Sequence, residues 1–313
     1  MASLVSRPEL ESMLSAMAQQ VADPRAGLFG PGSVTWKMNR EAALFLGAGR
    51  AALLQLAHPW VAAAIAEHST VMDRPIVRFH NTFRIVYTMV YGSVGQAFEA
   101  ARRLHTLHTG IQGELPEAVG AWPQSAHYEA NEVAALRWVW ATLVESAVLA
   151  YTTVLPLSAA ERERYYGEMK TFAALFGLAA GALPTDWEAF NSYCGEMFDS
   201  GELGVSAASR GMGQRILSGA GSWIRPPHWY RALTAAWMPP RLREGFGLAA
   251  DEGAAERARR WLPRVYRALP GSVRFAGPYQ EAQARLRGRP ASWLARRSNC
   301  FWIGQPEMPF AGQ

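Results

Sequence analysis

RFHNTFRIVYTMVYGSVGQAFEAARRLHTLHTGIQG, residues 78–113, is the stretch on which the fold turns. Its apolar residues recur at spacings of three and four, the period of a helix that buries one face. Set into that apolar background are Arg84, a hydroxyl one turn on at Thr88, and the pair His105 and His108. A cation, an imidazole and a hydroxyl converging inside an apolar helical protein are what a buried redox cofactor with acidic side groups requires.

The same spacing runs through alanine-rich segments on both sides, while period-two alternation rich in Val, Ile and Thr is nearly absent, so the expected fold is all-α. Helices are expected at roughly 8–21, 40–67, 78–108, 128–154, 159–178, 186–200, 204–219, 229–237, 252–267 and 278–287. Ser158 with Glu161, and Thr185 with Glu188, have the spacing by which a hydroxyl and a carboxyl satisfy each other's orphan amides at a helix start. Residues 109–127 form the clearest long loop. They separate two core-facing helices, so residues 1–313 are expected to make a single large helical domain. The tail from 299 is expected to pack Phe301 and Trp302.

The 313 residues are 50% hydrophobic, enough for a sizeable core. Cys194 and Cys300 are the only thiols and belong to no C-x-x-C pair, which excludes iron–sulfur ligation and covalent c-type haem. No secretory leader is visible, and a cytoplasmic location is expected. The longest uncharged runs, 51–66 and 146–160, are shorter than the roughly 20 apolar residues that cross a bilayer, so no transmembrane helix is expected. From residue 240 onward 13 arginines stand against six acidic residues. Without a zinc finger, an RRM signature or a helix-turn-helix, that excess points to a solvated basic surface, with an anionic membrane surface as the alternative and no nucleic-acid partner.

Several residues admit both a chemical and a structural role. His58 precedes Pro59 in the apolar run LLQLAHPWVAAAIA; proline there removes the hydrogen bond to the Gln55 carbonyl and bends the helix. His58 is either a satisfied core histidine or a donor lining a pocket. His105 and His108, three apart, share a helix face. A zinc or di-iron site would also need carboxylate or thiolate ligands, and neither H-E-x-x-H nor a single Glu-x-x-His occurs. Haem iron asks for one imidazole only, so a haem ligand and a polar helix end stand side by side as readings of the pair. An unpaired buried guanidinium is costly, so Arg84 is expected to meet a carboxylate, either a haem propionate or a nearby Glu or Asp. The string 47–52, GAGRAA, fits the dinucleotide-binding fingerprint, but residues before it read as helix rather than strand. Its small residues are expected to let helices, or a flat ring, approach closely.

GxGRAALLQLAHPxVAxxxxxHS (47–69), R-x-x-x-T (84–88), H-x-x-[VI]-x-G (108–113), YxAxxxxxLxWVxATLVES (128–146) and TAAWMPPRLREGFGL (234–248) together resemble the MpaB-like oxygenase family, which includes the latex-clearing rubber oxygenases. The resemblance covers roughly residues 30–250, leaving 251–313 as a helical extension. It implies an all-helical fold with a haem b pocket between core helices, His108 as the iron ligand, and Arg84 and Thr88 beside the haem. It also implies a catalytic carboxylate that falls at Glu67, where His68 competes for the position. Rubber oxygenases carry a lysine directly before the threonine. This chain has Tyr87 there, which together with the missing leader argues against polymer cleavage outside the cell. The function expected is oxygenation of a hydrophobic, unsaturated small molecule by haem and O₂, with Glu67 as base and His58 in the cofactor pocket. A haem or lipid-like carrier and a peroxidase-like enzyme are the competing classes.

Overall fold

A computed structural model describes residues 3–68, 74–222 and 225–309. In chain order the helices are α1 (Arg7–Gln20), α2 (Val34–Asn39), α3 (Ala48–Leu56), α4 (Pro59–His68), α5 (Pro75–Tyr91), α6 (Val94–Thr109), α7 (Val133–Val154) and α8 (Ala159–Ala174). The second half adds α9 (Trp187–Asp199), α10 (Ala207–Ser218), α11 (His228–Trp237), α12 (Pro240–Gly245), α13 (Glu252–Ala268), α14 (Gly271–Arg274), α15 (Gly277–Leu286) and α16 (Trp293–Ile303). One antiparallel hairpin, β1 (Gln112–Glu114) with β2 (His127–Glu129), pairs Gly113 with Tyr128. The molecule is all-α apart from that hairpin, as its periodicity requires.

The centre is α7, which carries Trp138, Trp140, Ala141, Val144 and Tyr151 into the interior. By length and composition α7 could cross a membrane, which the search for uncharged runs did not anticipate because Arg137 and Glu145 interrupt it. Over half of its most apolar window is buried against the rest of the protein. Its tryptophans span helices: Trp138 Nε1 donates to the Leu54 carbonyl of α3 at 2.9 Å, and Trp140 Nε1 to the Met169 carbonyl of α8 at 2.9 Å. A buried indole thus fills volume and also satisfies a backbone oxygen.

Residues 47–52 do what their size suggested. A Cβ on Gly47 would lie 2.5 Å from the Ser146 carbonyl oxygen of α7, and one on Gly49 would lie 3.1 Å from the Tyr230 hydroxyl. The close approach lets Arg50, 3% exposed, reach Glu145 on α7, the Ser146 hydroxyl and the Trp237 carbonyl. Burial raises the Glu145 carboxyl, and the Arg50 guanidinium opposes the shift.

Several expected boundaries are corrected. The helix expected over 40–67 is a 3-10 turn (Ala42–Gly47) followed by α3 and α4, with Pro59 opening α4 where a missing N–H is harmless. The Gln55 carbonyl is taken by the His58 amide at 3.1 Å. The helix expected over 78–108 is broken at Gly92 and restarts at a capping box of Ser93 and Gln96. The 109–127 loop enters a hairpin, and residues 128 and 129, expected to open a helix, belong to β2 (His127–Glu129). At 185–188 the box is not made; Asp186 caps α9 through the Ala189 amide. The Ser158 and Glu161 box forms as expected. Trp302 is buried, while Phe301 stays exposed, because the tail forms a helix, α16, that the sequence pattern did not reveal.

Removing Glu145 strands the Arg50 charge in the core. Glu145→Ala is expected to lower unfolding free energy by about 3 kcal/mol or more, read from urea denaturation, since breaking one side of a buried pair leaves the other unsolvated.

Candidate functional site

α5 and α6 form a helical hairpin folded at Gly92–Ser93. Counted back from that turn, His108 near the end of α6 is level with Arg78 near the start of α5. Arg84 lies six residues, about 9 Å, nearer the turn, and Thr88 lies closer still. Arg78, Asn81, Arg84 and Thr88, spaced three, three and four, make a polar stripe on an otherwise apolar helix.

The structure separates the two histidines of the H-x-x-H pair. His105 Nε2 lies 3.0 Å from the Val5 carbonyl, and since a carbonyl only accepts, that nitrogen carries a proton and holds α6 to the segment before α1. His108 retains some accessible surface, and neither of its ring nitrogens makes a hydrogen bond among the described residues. Burial lowers its pKa to about 4, with the Arg78 guanidinium and the His105 ring adding to the effect. At neutral pH it is an uncharged imidazole, the form that ligates a metal.

Thr88 is fully buried and its Oγ1 has no hydrogen-bond partner. Buried hydroxyls are nearly always satisfied, so an orphan of this kind is a point where a bound group can be accommodated. Arg84 departs from expectation. No carboxylate meets it; Nε and Nη2 both donate to the Ile303 carbonyl at the end of α16, at 3.0 and 2.9 Å, and Nη1 donates to Asn81 Oδ1 at 3.2 Å. The fork that matches a propionate matches the C-terminal dipole of a helix as well. The Arg78 guanidinium, not singled out from the sequence, lies nearer the imidazole, and the spacing of the α5 stripe was its signal. Tyr87 is buried among aromatic rings, and burial pushes its hydroxyl far above the usual phenol range.

Glu67 stands in a second cluster at the end of α4, against the hairpin that follows α6. The Tyr128 hydroxyl donates to Glu67 Oε2 at 2.6 Å, and His68 Nε2 lies 3.8 Å from the same oxygen and 3.2 Å from the Gln112 carbonyl. Gly113, the last residue of H-x-x-[VI]-x-G, makes this pair possible: a Cβ there would fall 2.6 Å from the Tyr128 hydroxyl and 2.9 Å from Glu67 Oε2. Tyr128, itself buried, is the partner of the carboxylate.

His58 occupies a third position. It is 2% exposed, its Nδ1 is unpartnered, and burial lowers its pKa to about 4. Its ring meets Trp60 at 6.1 Å and Trp122 at 5.9 Å, beside a cavity of about 40 Å³ lined by Pro59, Ala62, Leu115 and Ser209. It is a core histidine, yet not a satisfied one. It shares no hydrogen bond or ring contact with His108, Arg84 or Thr88 among the described residues. The described residues contain no group of three or more His, Cys, Asp or Glu suited to a metal ion.

Residues 35–272 match the family model described as ER-bound oxygenase mpaB/B'/Rubber oxygenase, catalytic domain. The chain belongs to this family. No curated protein and no solved structure matches it. Within this oxygenase catalytic domain, Gly113, Glu67 and Tyr128 meet at the hairpin that follows α6, while His108 lies near the end of α6 beside Arg78, and Arg84 and Thr88 lie further along α5.

Two outcomes follow. Gly113→Ala is expected to destabilise the fold by about 1–3 kcal/mol through overpacking, measured by denaturation against Gly110→Ala, whose nearest neighbour would be at 3.6 Å. Burial lowers the folded pKa values of His58 and His108 from the ordinary 6.5 to about 4, so the unfolded chain binds more protons between those two values. Their contribution is fully present above 6.5 and is lost as pH falls toward 4. Urea midpoints measured across that window should drop with acid, and less steeply in His58→Gln.

Proposed function

We propose that this protein is a haem b-dependent oxygenase that acts with O₂ on a hydrophobic, unsaturated small molecule. Membership of the oxygenase family supports the reaction class. The observation that carries the cofactor assignment is the His108 imidazole: neutral, crowded by protein and uncommitted at both ring nitrogens, while His105 is spent on a backbone carbonyl. Haem, when bound, supplies the dioxygen activation that protein side chains lack.

The chain's own residues have distinct tasks. His108 would hold the iron through a ring nitrogen, its low pKa keeping that nitrogen unprotonated at neutral pH. Arg78 and Arg84 offer guanidinium forks to the acidic side groups; Arg84 does so from a position braced by Asn81 and the α16 carboxyl-terminal turn. Thr88 would complete the polar side of the pocket with its unpartnered hydroxyl. Glu67 would take an allylic proton from substrate at Oε1, because Oε2 accepts from Tyr128 and fixes the carboxylate's orientation. His58 would line the apolar approach.

The test is spectroscopic. Protein purified after haem-supplemented expression should show a Soret band, lost in His108→Ala and kept in His105→Ala. A colourless wild type, or a band insensitive to His108→Ala, would overturn the assignment. Steady O₂ consumption with an isoprenoid alkene separates an oxygenase from a carrier, which shows none.

A further inference from the structure

The basic surplus of the C-terminal third is arranged. Between 257 and 280 the chain has six arginines and no aspartate or glutamate. Most of that stretch is α13 and α14. The inner face of α13 is Ala254, Ala255, Ala258 and Leu262, packed against α11 and α7. Its outer face and the residues after it carry large apolar side chains at every fourth position: Trp261 36%, Val265 50%, Leu269 37% and Val273 61% exposed. Trp261 and Val265 lie on α13, with the Trp261 ring also meeting Trp229 at 5.3 Å, while Leu269 and Val273 follow past the helix end at Ala268 and remain exposed to solvent.

The cations flank these side chains. Arg257, Arg260, Arg264 and Arg267 are all exposed. Arg274 is turned inward, held by Glu41 at 2.9 Å, and Arg267 rests one nitrogen on the Val154 carbonyl at 2.9 Å. The acidic residues of α13 are confined to its beginning, where Asp251 caps the helix and Glu256 serves Arg259 and Arg260 at 3.8 and 2.9 Å. Past that turn the face is positive and apolar only.

We propose that this face docks on the surface of an anionic phospholipid bilayer, with Trp261, Val265, Leu269 and Val273 entering the headgroup boundary and the arginines meeting lipid phosphates. An apolar stripe edged by arginine, with a tryptophan among the apolar residues, is the composition of a helix lying in a membrane interface, since long cationic side chains bury their stems and keep their heads in the polar layer. Charge complementarity selects this occupant. A second copy would set one positive face against another, and a nucleic acid backbone offers nothing to four aliphatic and aromatic groups in line. The inference is independent of the haem assignment. Docking would also place the enzyme where an apolar substrate is concentrated.

Vesicle flotation of the full chain tests it. Wild type should float with phosphatidylglycerol-containing vesicles at low salt, stay in solution with pure phosphatidylcholine, and be released by high salt as the charges are screened. Val265→Glu with Val273→Glu, both at exposed positions and checked for an unchanged thermal midpoint, should weaken flotation by more than about tenfold. Arg264→Ala should weaken it about fivefold. Flotation absent for wild type, or unaltered in the double variant, overturns the proposal. So does salt-sensitive binding to duplex DNA that the double variant retains, which would mark a polyanion surface. A concentration-dependent dimer in light scattering, abolished by the same double variant, would assign the stripe to self-association instead.

Discussion

Arg50 and Glu145 cannot be buried apart. A guanidinium at the heart of an apolar protein needs a carboxylate, and the carboxylate needs it in return, because each loses its water on folding. The pair forms only if α3 comes close to α7, an approach set by Gly47, where a methyl group would strike the Ser146 carbonyl, while Gly49 admits the Tyr230 hydroxyl of α11 on the other side. With α3 fixed on α7, the tryptophans of α7 reach carbonyls on α3 and α8. The helices that bear the candidate site are packed around this frame.

On that frame, α5 and α6 present their polar residues at different depths. His108 sits where α6 yields to the hairpin, partly open, while Thr88 lies fully enclosed. Placement makes the chemical distinction between His105 and His108. Both have the same neighbours in sequence terms, but one faces the backbone of the segment before α1 and the other faces Arg78. Gly113 connects this region to Glu67: the glycine that ends the histidine motif is also the opening through which Tyr128 reaches the carboxylate.

The C-terminal helix changes the meaning of Arg84. α16 lies over α5, with His80 Nε2 3.1 Å from the Phe301 carbonyl, Gln96 donating to the Pro309 carbonyl at 2.8 Å, and Trp302 wedged among Phe45, Phe79 and Phe83. Arg84 closes the end of that helix. A charged residue on an apolar helix face therefore has a helix terminus as its partner rather than a Glu or Asp, a solution the macrodipole favours and residue patterns do not register.

Periodicity was sufficient for the helical class, because a 3.6-residue repeat is written locally and needs no partner to be seen. It was sufficient too for the Ser158 box and for the family-bearing motifs that hold His108, Arg84 and Thr88. It failed at Gly92 and Pro59, where helices end on single residues inside longer apolar runs, and at α16 and β2, whose short segments carry too few repeats to declare a period. The Asp186 cap won over Thr185 by one residue, a distinction of backbone geometry. By itself, then, the sequence determined an all-α chain of the oxygenase family. Tertiary structure alone decided which histidine keeps its ring nitrogens, which acid Tyr128 orients, and what Arg84 holds. Those choices depend on groups up to 219 residues away in the chain, brought within about 3 Å only when the helices pack.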